Sequence, residues 1–271
     1  MAKTKTNPAA PLPPTEHLQN HLRELRLPAF RDHFPSQAER AAKESWSYPQ
    51  YLEALTHREC EARNQGRIRR LHRASRLLTD KTWDQFQWQR LPKTVQQQLH
   101  SLRDGAFLAR RENVLVFGKP GSGKTHALCA LGEQLILQGH SVLFATCSLL
   151  VQDLLAAKRD LKLERYLKKL AGFEALIIDD LGSVQQSREE MEVLFTLLAE
   201  RYERGSVLLT SNLPFSQWSV IFKDPMTTAA AIDRLVHHSV IVELNVPSFR
   251  LETAKGMRKP THHDAAETAK T

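Results

Sequence analysis

The chain of 271 residues is 41% hydrophobic and carries 38 lysines and arginines against 30 aspartates and glutamates, a formal net charge of +8. This length can bury the core of one large domain or two modest ones, and the basic balance favours a polyanionic partner, nucleic acid above all. No apolar stretch approaches the ~20 residues that span a bilayer, and no secretory signal is visible. The three cysteines lack metal-ligand or redox spacing. We therefore expect a cytoplasmic protein with no membrane partner.

The first third of the chain carries helical periodicity. Residues 1–14 are rich in Pro, Ala and Lys, a composition typical of a disordered basic arm. Apolar residues recur at helical spacing over residues 15–105, and we assign residues 15–80 to a small all-helical N-terminal domain. Within it, the segment 67–78 combines an apolar stripe on one helical face with arginines around the rest.

From about residue 106 the pattern changes to short apolar runs that alternate with helical segments, which is typical of parallel βαβ units. We predict strands near residues 113–117, 142–147, 174–179, 206–211 and 239–244, with helices between them. The fold class that follows is α/β, with a five-stranded parallel sheet flanked by helices, in a domain over residues 81–255. Residues 256–271 are polar and aperiodic, and we expect a flexible tail.

The residues from Gly118 to Thr125 match the phosphate-loop pattern G-x-x-x-x-G-K-[ST], between an apolar strand and a helix. Its glycines allow successive backbone N–H groups to point into one concavity. Lys124 brings a positive charge to the β and γ phosphates, and the Thr125 hydroxyl is a hard oxygen ligand for Mg²⁺. We therefore assign nucleotide binding to Gly118, Lys119, Pro120, Gly121, Ser122, Gly123, Lys124, Thr125 and His126.

The apolar run that begins at Ala175 contains two adjacent acids, Asp179 and Asp180. In a parallel sheet, a carboxylate at the carboxyl end of a buried strand lies beside the phosphate loop. One carboxylate can hold the Mg²⁺ shell, and a second can orient or deprotonate the attacking water. We assign Asp179, with Thr125, to the metal and Asp180 to the water; the alternative is an acidic strand end followed by a turn.

Two further polar residues are candidates for the reaction. Asn212 ends a buried strand, and its amide can donate and accept at the γ-phosphate or the attacking water; alternatively it only turns the chain before Leu213. Arg234 lies on a predicted helix before the last strand. It either stabilises charge on a transferring phosphoryl group or is a surface arginine paired with an acid, and the residues alone favour the second.

Two basic clusters are candidates for DNA contact, because basic side chains track phosphates with little sequence specificity. The first comprises Arg67, Arg69, Arg70, Arg73 and Arg76, and the second comprises Lys158, Arg159, Lys162, Lys168 and Lys169. The second is interleaved with Asp160 and Glu164, as in an ordinary solvated helix face. Both interpretations stay open for each cluster.

In this order and rough spacing, these segments resemble the AAA+ ATPases of the initiator clade that includes DnaA and DnaC. The Ile-Asp-Asp-Leu-Gly, Leu-Thr-Ser-Asn-Leu-Pro and Ala-Ile-Asp-Arg-Leu segments are similar to those of the IstB family of insertion-sequence ATP-binding proteins, helpers of the IstA transposase. The resemblance covers roughly residues 15–250 and is strongest over residues 112–245.

The resemblance implies a role for each motif in an AAA+ P-loop NTPase. Gly118–Thr125 would be the Walker A loop, Asp179 and Asp180 the Walker B pair, and Asn212 sensor 1. Arg234 would be an arginine finger that acts on ATP bound by the adjacent subunit. Asp180 stands where most AAA+ proteins carry Glu, which implies slow turnover. A clear sensor 2 motif is missing, and Arg250 is a weak substitute.

The resemblance also implies ATP and Mg²⁺ as cofactors and a homo-oligomer, a ring or helical filament, that forms with ATP on double-stranded DNA. Such an assembly would deform the DNA and recruit or stimulate an IstA-type transposase, with the N-terminal helices serving self-assembly and transposase contact. A DnaC-like loader of the replicative helicase, a small-molecule kinase and an ATP-gated DNA scaffold with negligible turnover are the alternatives.

Overall fold

The structure is a computed structural model that describes residues 14–182, 187–222, 224–249 and 252. The chain divides between Arg69 and Arg70 into two units, and the boundary falls inside one long helix. The expected arm over residues 1–14 lies outside the described residues except for its last position, and the whole of the expected tail, residues 256–271, also lies outside them, as does Arg250.

The first unit is built from helices α1 (Pro14–Glu24), α2 (Pro28–Lys43) and the start of α3 (Tyr48–Ser75). Pro28 opens α2, where its missing N–H costs nothing. The buried carboxylate of Glu59 accepts the N–H of Ala29 at 2.8 Å and pairs with Arg63 at 2.8 Å. Glu59 therefore caps the positive end of α2 from a neighbouring helix.

In the second unit, α3 ends at Ser75, and residues 76–92 contain only a short 3-10 turn at Trp88–Arg90. The expectation of helix throughout residues 15–105 is therefore wrong for residues 76–92. The Ser75 hydroxyl donates to the carbonyl of His72 and accepts the N–H of Leu77, which satisfies the helix end. Trp83, Phe86 and Trp88 then pack ring against ring. Helices α4 (Lys93–Leu102) and α5 (Ala106–Ala109) follow.

The five strands are all parallel, as the sequence predicted, and their order in the sheet is β2-β3-β4-β1-β5. Their bounds are β1 Asn113–Gly118, β2 Val142–Thr146, β3 Ala175–Leu181, β4 Ser206–Ser211 and β5 Ser239–Leu244. β2 is one residue shorter than predicted, because Cys147 already begins a helix. β3 begins one residue later and ends two residues later than predicted, because a bulge lets it continue past Ile178 to Leu181.

Helices cover the sheet, which explains why β1 and β4 are buried almost throughout. They are α6 Lys124–Leu137, α7 Cys147–Arg159, α8 Leu163–Ala171, α9 Arg188–Arg201, α10 Ser219–Phe222 and α11 Pro225–Val236. Ser187 and Glu190 form a capping box that starts α9. Within the residues described, no helix is both long and apolar enough to cross a membrane.

Arg201, at the end of α9, is a buried cation that the sequence pattern did not reveal. Its guanidinium donates to the carbonyls of Leu170, Phe173, Glu174 and Ser206 at 3.0–3.2 Å. Burial lowers the pKa of Arg201 to about 10, so the side chain stays charged at neutral pH. This one side chain fastens the end of α8 and the starts of two strands together.

Candidate nucleotide site

The phosphate loop lies between the carboxyl end of β1 and the first turn of α6. Gly121 and Gly123 have φ values of 79° and 99°, a region that L side chains rarely adopt. A Cβ at Gly121 would lie 2.2 Å from the Ser248 hydroxyl. The backbone here is therefore a cradle that only glycine allows.

Two polar side chains of the loop are buried in a way that suits an anionic ligand. Lys124 Nζ donates to the carbonyls of Gly118 at 2.8 Å and Lys119 at 3.1 Å, which holds the loop closed on itself. Ser122 Oγ is buried and has no hydrogen-bond partner among the described residues. A cradle of backbone N–H groups, one buried cation and one unpaired hydroxyl fit the phosphates of a nucleotide.

The two residues assigned to the metal lie in contact. Thr125 Oγ1 is 2.9 Å from Asp179 Oδ1 and 3.1 Å from Oδ2. Burial raises the pKa of Asp179, although hydrogen bonds from Thr210 and Thr125 act in the opposite direction and favour the charged form. A hydroxyl and a carboxylate are hard oxygen ligands, so this donor set fits Mg²⁺.

Thr210, on β4, links the two acids and was not singled out from the sequence. β4 lies between β1 and β3, and Thr210 Oγ1 donates to Asp179 Oδ1 at 2.7 Å. The same oxygen accepts the backbone N–H of Asp180 at 2.7 Å. A hydroxyl directly after the apolar residues of β4 was the available signal, but its meaning depends on which strands are neighbours.

Asp180 lies on the bulge of β3 with φ of 68°, the left-handed region that Asp tolerates better than most residues. In a regular strand, adjacent side chains point to opposite faces, so Asp180 would face away from the side that Asp179 takes. The bulge interrupts the regular pairing of the strand here, and the Asp180 side chain is exposed while Asp179 is buried.

Asn212 follows directly after β4. Its amide oxygen is buried and has no hydrogen-bond partner among the described residues. The hydrogen bonds that shape the turn come instead from Ser211, whose hydroxyl donates to Leu181 O at 2.9 Å and accepts the N–H of Leu213 at 3.1 Å. The Asn212 oxygen is thus not engaged in forming the turn.

Arg234 lies at the other end of the sheet from its own phosphate loop. It is near the end of α11, beside Asn113 at the start of β1, and lines a cavity of about 230 Å³ with Asn113, Tyr202 and His238. Its guanidinium lies 4.5 Å from the ring centre of Phe195. In the described part of the chain no carboxylate forms an ion pair with it, so the interpretation as an acid-paired surface arginine is not supported.

A cavity of about 350 Å³ adjoins the phosphate loop, within the size range of small-molecule sites. Part of its wall comes from the irregular segment 80–91 and part from residues 246–249. The ring of Phe86 packs edge-on against His126, and the Phe249 N–H donates to Gly121 O at 3.0 Å. This wall was not predicted, because the apolar spacing of the sequence indicated helix over residues 80–91, where the structure has none beyond a 3-10 turn.

Both basic clusters are exposed. Arg67, Arg69, Arg70 and Arg73 lie on α3, and Arg76 follows it. Lys158 and Arg159 end α7, and Lys162, Lys168 and Lys169 lie at or in α8. The second cluster is partly paired, since Lys158, Lys162 and Lys168 lie within 3.7 Å of carboxylate oxygens.

Comparison with known proteins agrees with these features. The family model of IstB-like ATP binding proteins matches residues 20–256. A protein of Sinorhizobium fredii, named as an insertion sequence ATP-binding protein, is 40% identical over 90% of this chain and 83% of its own length. A Pseudomonas aeruginosa protein, named as the ATP-binding protein of insertion sequence IS21, is 36% identical over 85% of this chain and 87% of its own.

Solved structures share the fold at low identity. The DnaC helicase loader superposes with a TM-score of 0.51 at 16% identity, over 61% of this chain and 97% of that one. DnaA from Aquifex aeolicus, bound to AMPPCP, gives 0.52 at 14% identity, over 71% and 59%. The predicted AAA+ α/β fold is thus confirmed, and the family match over most of the chain shows that the protein is a member of the IstB-like ATP-binding proteins.

Proposed function

We propose that this protein binds and hydrolyses ATP with Mg²⁺, and that the nucleotide controls its assembly on DNA as the helper of an insertion-sequence transposase. The observation that carries the nucleotide part is the contact of Thr125 with Asp179 beside a glycine cradle and a 350 Å³ cavity. The names of its relatives, which are insertion sequence ATP-binding proteins, support the rest.

In this proposal the chain's own residues divide the work. The loop N–H groups and Lys124 hold the phosphates, the cavity between Phe86 and Phe249 takes the base, and Thr125 and Asp179 hold the metal. Mg²⁺, when bound, neutralises charge on the β and γ oxygens. Asn212 orients the attacking water through its unpaired amide oxygen.

Asp180 would accept a proton from the attacking water. Its exposure and its place beside Asp179 support this role. Its side chain is one methylene shorter than the Glu of most AAA+ proteins, so it reaches the water less directly. We therefore propose a slow ATPase that DNA or a partner stimulates.

Arg234 would act on ATP in the neighbouring subunit. Its place at the opposite end of the sheet from the phosphate loop supports action in trans, because the helix cannot bring it to the nucleotide of its own chain. A finger in trans requires a neighbour, so we propose an ATP-dependent homo-oligomer, a ring or a helical filament.

The DNA partner is supported by the net charge of +8 and by the two exposed basic clusters. We propose that the oligomer deforms double-stranded DNA and recruits or stimulates an IstA-type transposase. The helical N-terminal unit would serve self-assembly and transposase contact.

The test measures phosphate release with and without duplex DNA and with the transposase from the same insertion sequence. It also images the complex on DNA with a non-hydrolysable ATP analogue. We expect stimulation by DNA or transposase and an ordered oligomer, with Lys124→Ala as the control that loses nucleotide binding and assembly together. Phosphoryl transfer to a metabolite without DNA stimulation would point to a kinase, and copurification with a replicative helicase to a loader.

A further inference from the structure

The tip between α7 and α8 carries an apolar side chain that the fold of this unit does not use. Leu161 is 94% exposed, more than the other large hydrophobic residues that the structure describes. It joins the end of α7 to Lys162, the residue before α8. A single exposed leucine is ordinary, but its backbone conformation is not.

Leu161 has φ of 57°, in the left-handed region. The N–H of Leu161 donates to Lys158 O at 3.1 Å and the N–H of Lys162 to Ala157 O at 2.8 Å, which is the Schellman pattern of a helix end. Glycine usually fills this position because a Cβ is strained there. The other non-glycine residues with positive φ in the described chain are polar or charged, namely Arg26, Ser45, Arg76, Arg111, Asp180 and Glu203. Leucine at this place therefore carries a cost that folding does not explain.

The surroundings of Leu161 are cationic. Lys158, Arg159 and Lys162 lie within three residues of it, all exposed, and the exposed face of α8 adds Arg165, Lys168 and Lys169. Three acids pair with some of these cations, Glu192 with Lys158, Asp160 with Lys162 and Glu164 with Lys168, so the six cations outnumber the acids two to one. Opposite its charges, Leu163 and Leu167 of α8 pack against the core, which fixes the tip on a folded base.

We infer that Leu161 is an apolar wedge that enters a base step of duplex DNA while the flanking cations hold the phosphates on either side. Proteins that bend DNA insert single apolar side chains between base pairs in this way, and the cost of unstacking is offset by contacts to the bent duplex. The charge around Leu161 selects a polyanion over an apolar protein groove. This inference rests on the proposed function and names the part of the surface that would deform the DNA.

The experiment uses the full chain with a non-hydrolysable ATP analogue and a duplex that carries end labels for energy transfer and 2-aminopurine at a flexible TA step. Wild-type protein should shorten the end-to-end distance and raise the 2-aminopurine fluorescence. Leu161→Gly should keep salt-dependent DNA binding, because the phosphate contacts remain, and should lose both signals. Leu161→Phe should retain them, because it keeps an apolar side chain.

In Leu161→Gly, thermal stability should increase while DNA bending is lost. The melting temperature should rise, because glycine relieves the left-handed strain, so a loss of bending cannot be ascribed to unfolding. Leu149→Ala, which alters another exposed leucine on α7 away from the tip, should bend DNA as wild type does.

Three results would overturn the inference. If Leu161→Gly bends and unstacks the duplex as wild type does, Leu161 is not a wedge, although the proposed DNA binding still stands. Leu161→Gly that fails to form the oligomer without DNA assigns the side chain to a protein contact. Wild type that binds no DNA refutes the proposed function itself, a result distinct from the first two.

Discussion

The hydroxyl of Thr210 donates to Asp179 at 2.7 Å from a position that is 1% exposed. On its other side the same oxygen accepts the N–H of Asp180. One side chain on the strand between β1 and β3 thus holds both the carboxylate of Asp179, which we assign to the metal, and the backbone of Asp180, which we assign to the water. The geometry of the site depends on this bridge as well as on the two motifs that flank it.

Thr210→Val should lower the turnover number for ATP by about 10- to 100-fold, as loss of groups that orient metal ligands commonly does. Valine keeps the shape of threonine but leaves Asp179 with one donor fewer and removes the oxygen that accepts the Asp180 N–H. We expect the KM for ATP to change less than kcat, and the pH profile to shift upward because the pKa of Asp179 rises further. Steady-state kinetics across pH would measure this.

Thr210→Ser is the matched control, since it keeps the hydroxyl and loses only a methyl group. It should retain most of the turnover. Equal kinetics and equal pH profiles for the Val and Ser variants would show that the hydroxyl only satisfies the fold.

Mg²⁺-dependent nucleotide binding should weaken as the pH falls. This weakening should begin at a higher pH than it would for a metal ligand with the pKa of an ordinary Asp. Burial raises the pKa of Asp179, and the protonated acid cannot hold the metal. Titration of a fluorescent ATP analogue with Mg²⁺ and with EDTA, at a series of pH values, measures the difference. Asp179→Asn should show no Mg²⁺-dependent gain at any pH; a gain equal to that of wild type would remove Asp179 from the metal site.

The raised pKa of Asp179 also affects the folding stability of the protein without nucleotide or metal. A group whose folded pKa exceeds its unfolded value contributes stability below the unfolded pKa and loses it as the pH rises through the folded one. Ionised Asp179 therefore destabilises the ligand-free fold at neutral pH. The melting temperature of Asp179→Asn relative to that of wild type should rise as the pH is raised from acidic to neutral. A difference in melting temperature that does not change with pH would contradict this.

Asp180→Asn should bind ATP and DNA normally and hydrolyse ATP about 10²- to 10⁴-fold more slowly, the usual contribution of a general base. Asparagine suits this test because it tolerates the left-handed backbone at this position, whereas alanine would add strain. Asp180→Ala should show the same loss of hydrolysis. Normal hydrolysis by either variant would assign the water to another group.

Arg234→Ala should bind ATP but lose about 10³- to 10⁵-fold in stimulated hydrolysis, the range that arginine fingers supply. When it is mixed with Asp180→Asn, which still binds ATP, interfaces form that combine an intact nucleotide site with an intact arginine. Phosphate release should therefore recover in part on mixing. Two inactive proteins that stay inactive together, while still forming mixed oligomers, would argue against action in trans.

The sequence predicted the elements that depend on local pattern. The phosphate loop is a contiguous motif, and apolar runs of strand length mark β1 and β4 wherever they pair. The roles of Thr210 and Phe86 could not be predicted in the same way. Thr210 acquires meaning only from strand order, and Phe86 only from the packing of an irregular segment whose aromatic spacing imitates a helix. The bulge that extends β3 likewise depends on its neighbour.

The hydrogen bond from Phe249 to Gly121 O has a consequence for the order in which the protein matures. It joins the phosphate loop to residues that leave the ribosome long after the loop itself, beyond the last strand. A nascent chain that has emerged only as far as β4 lacks this wall of the pocket and also lacks β5, which pairs with β1. The complete pocket should therefore form only after β5 and Phe249 have emerged, so that shorter nascent chains should bind ATP weakly.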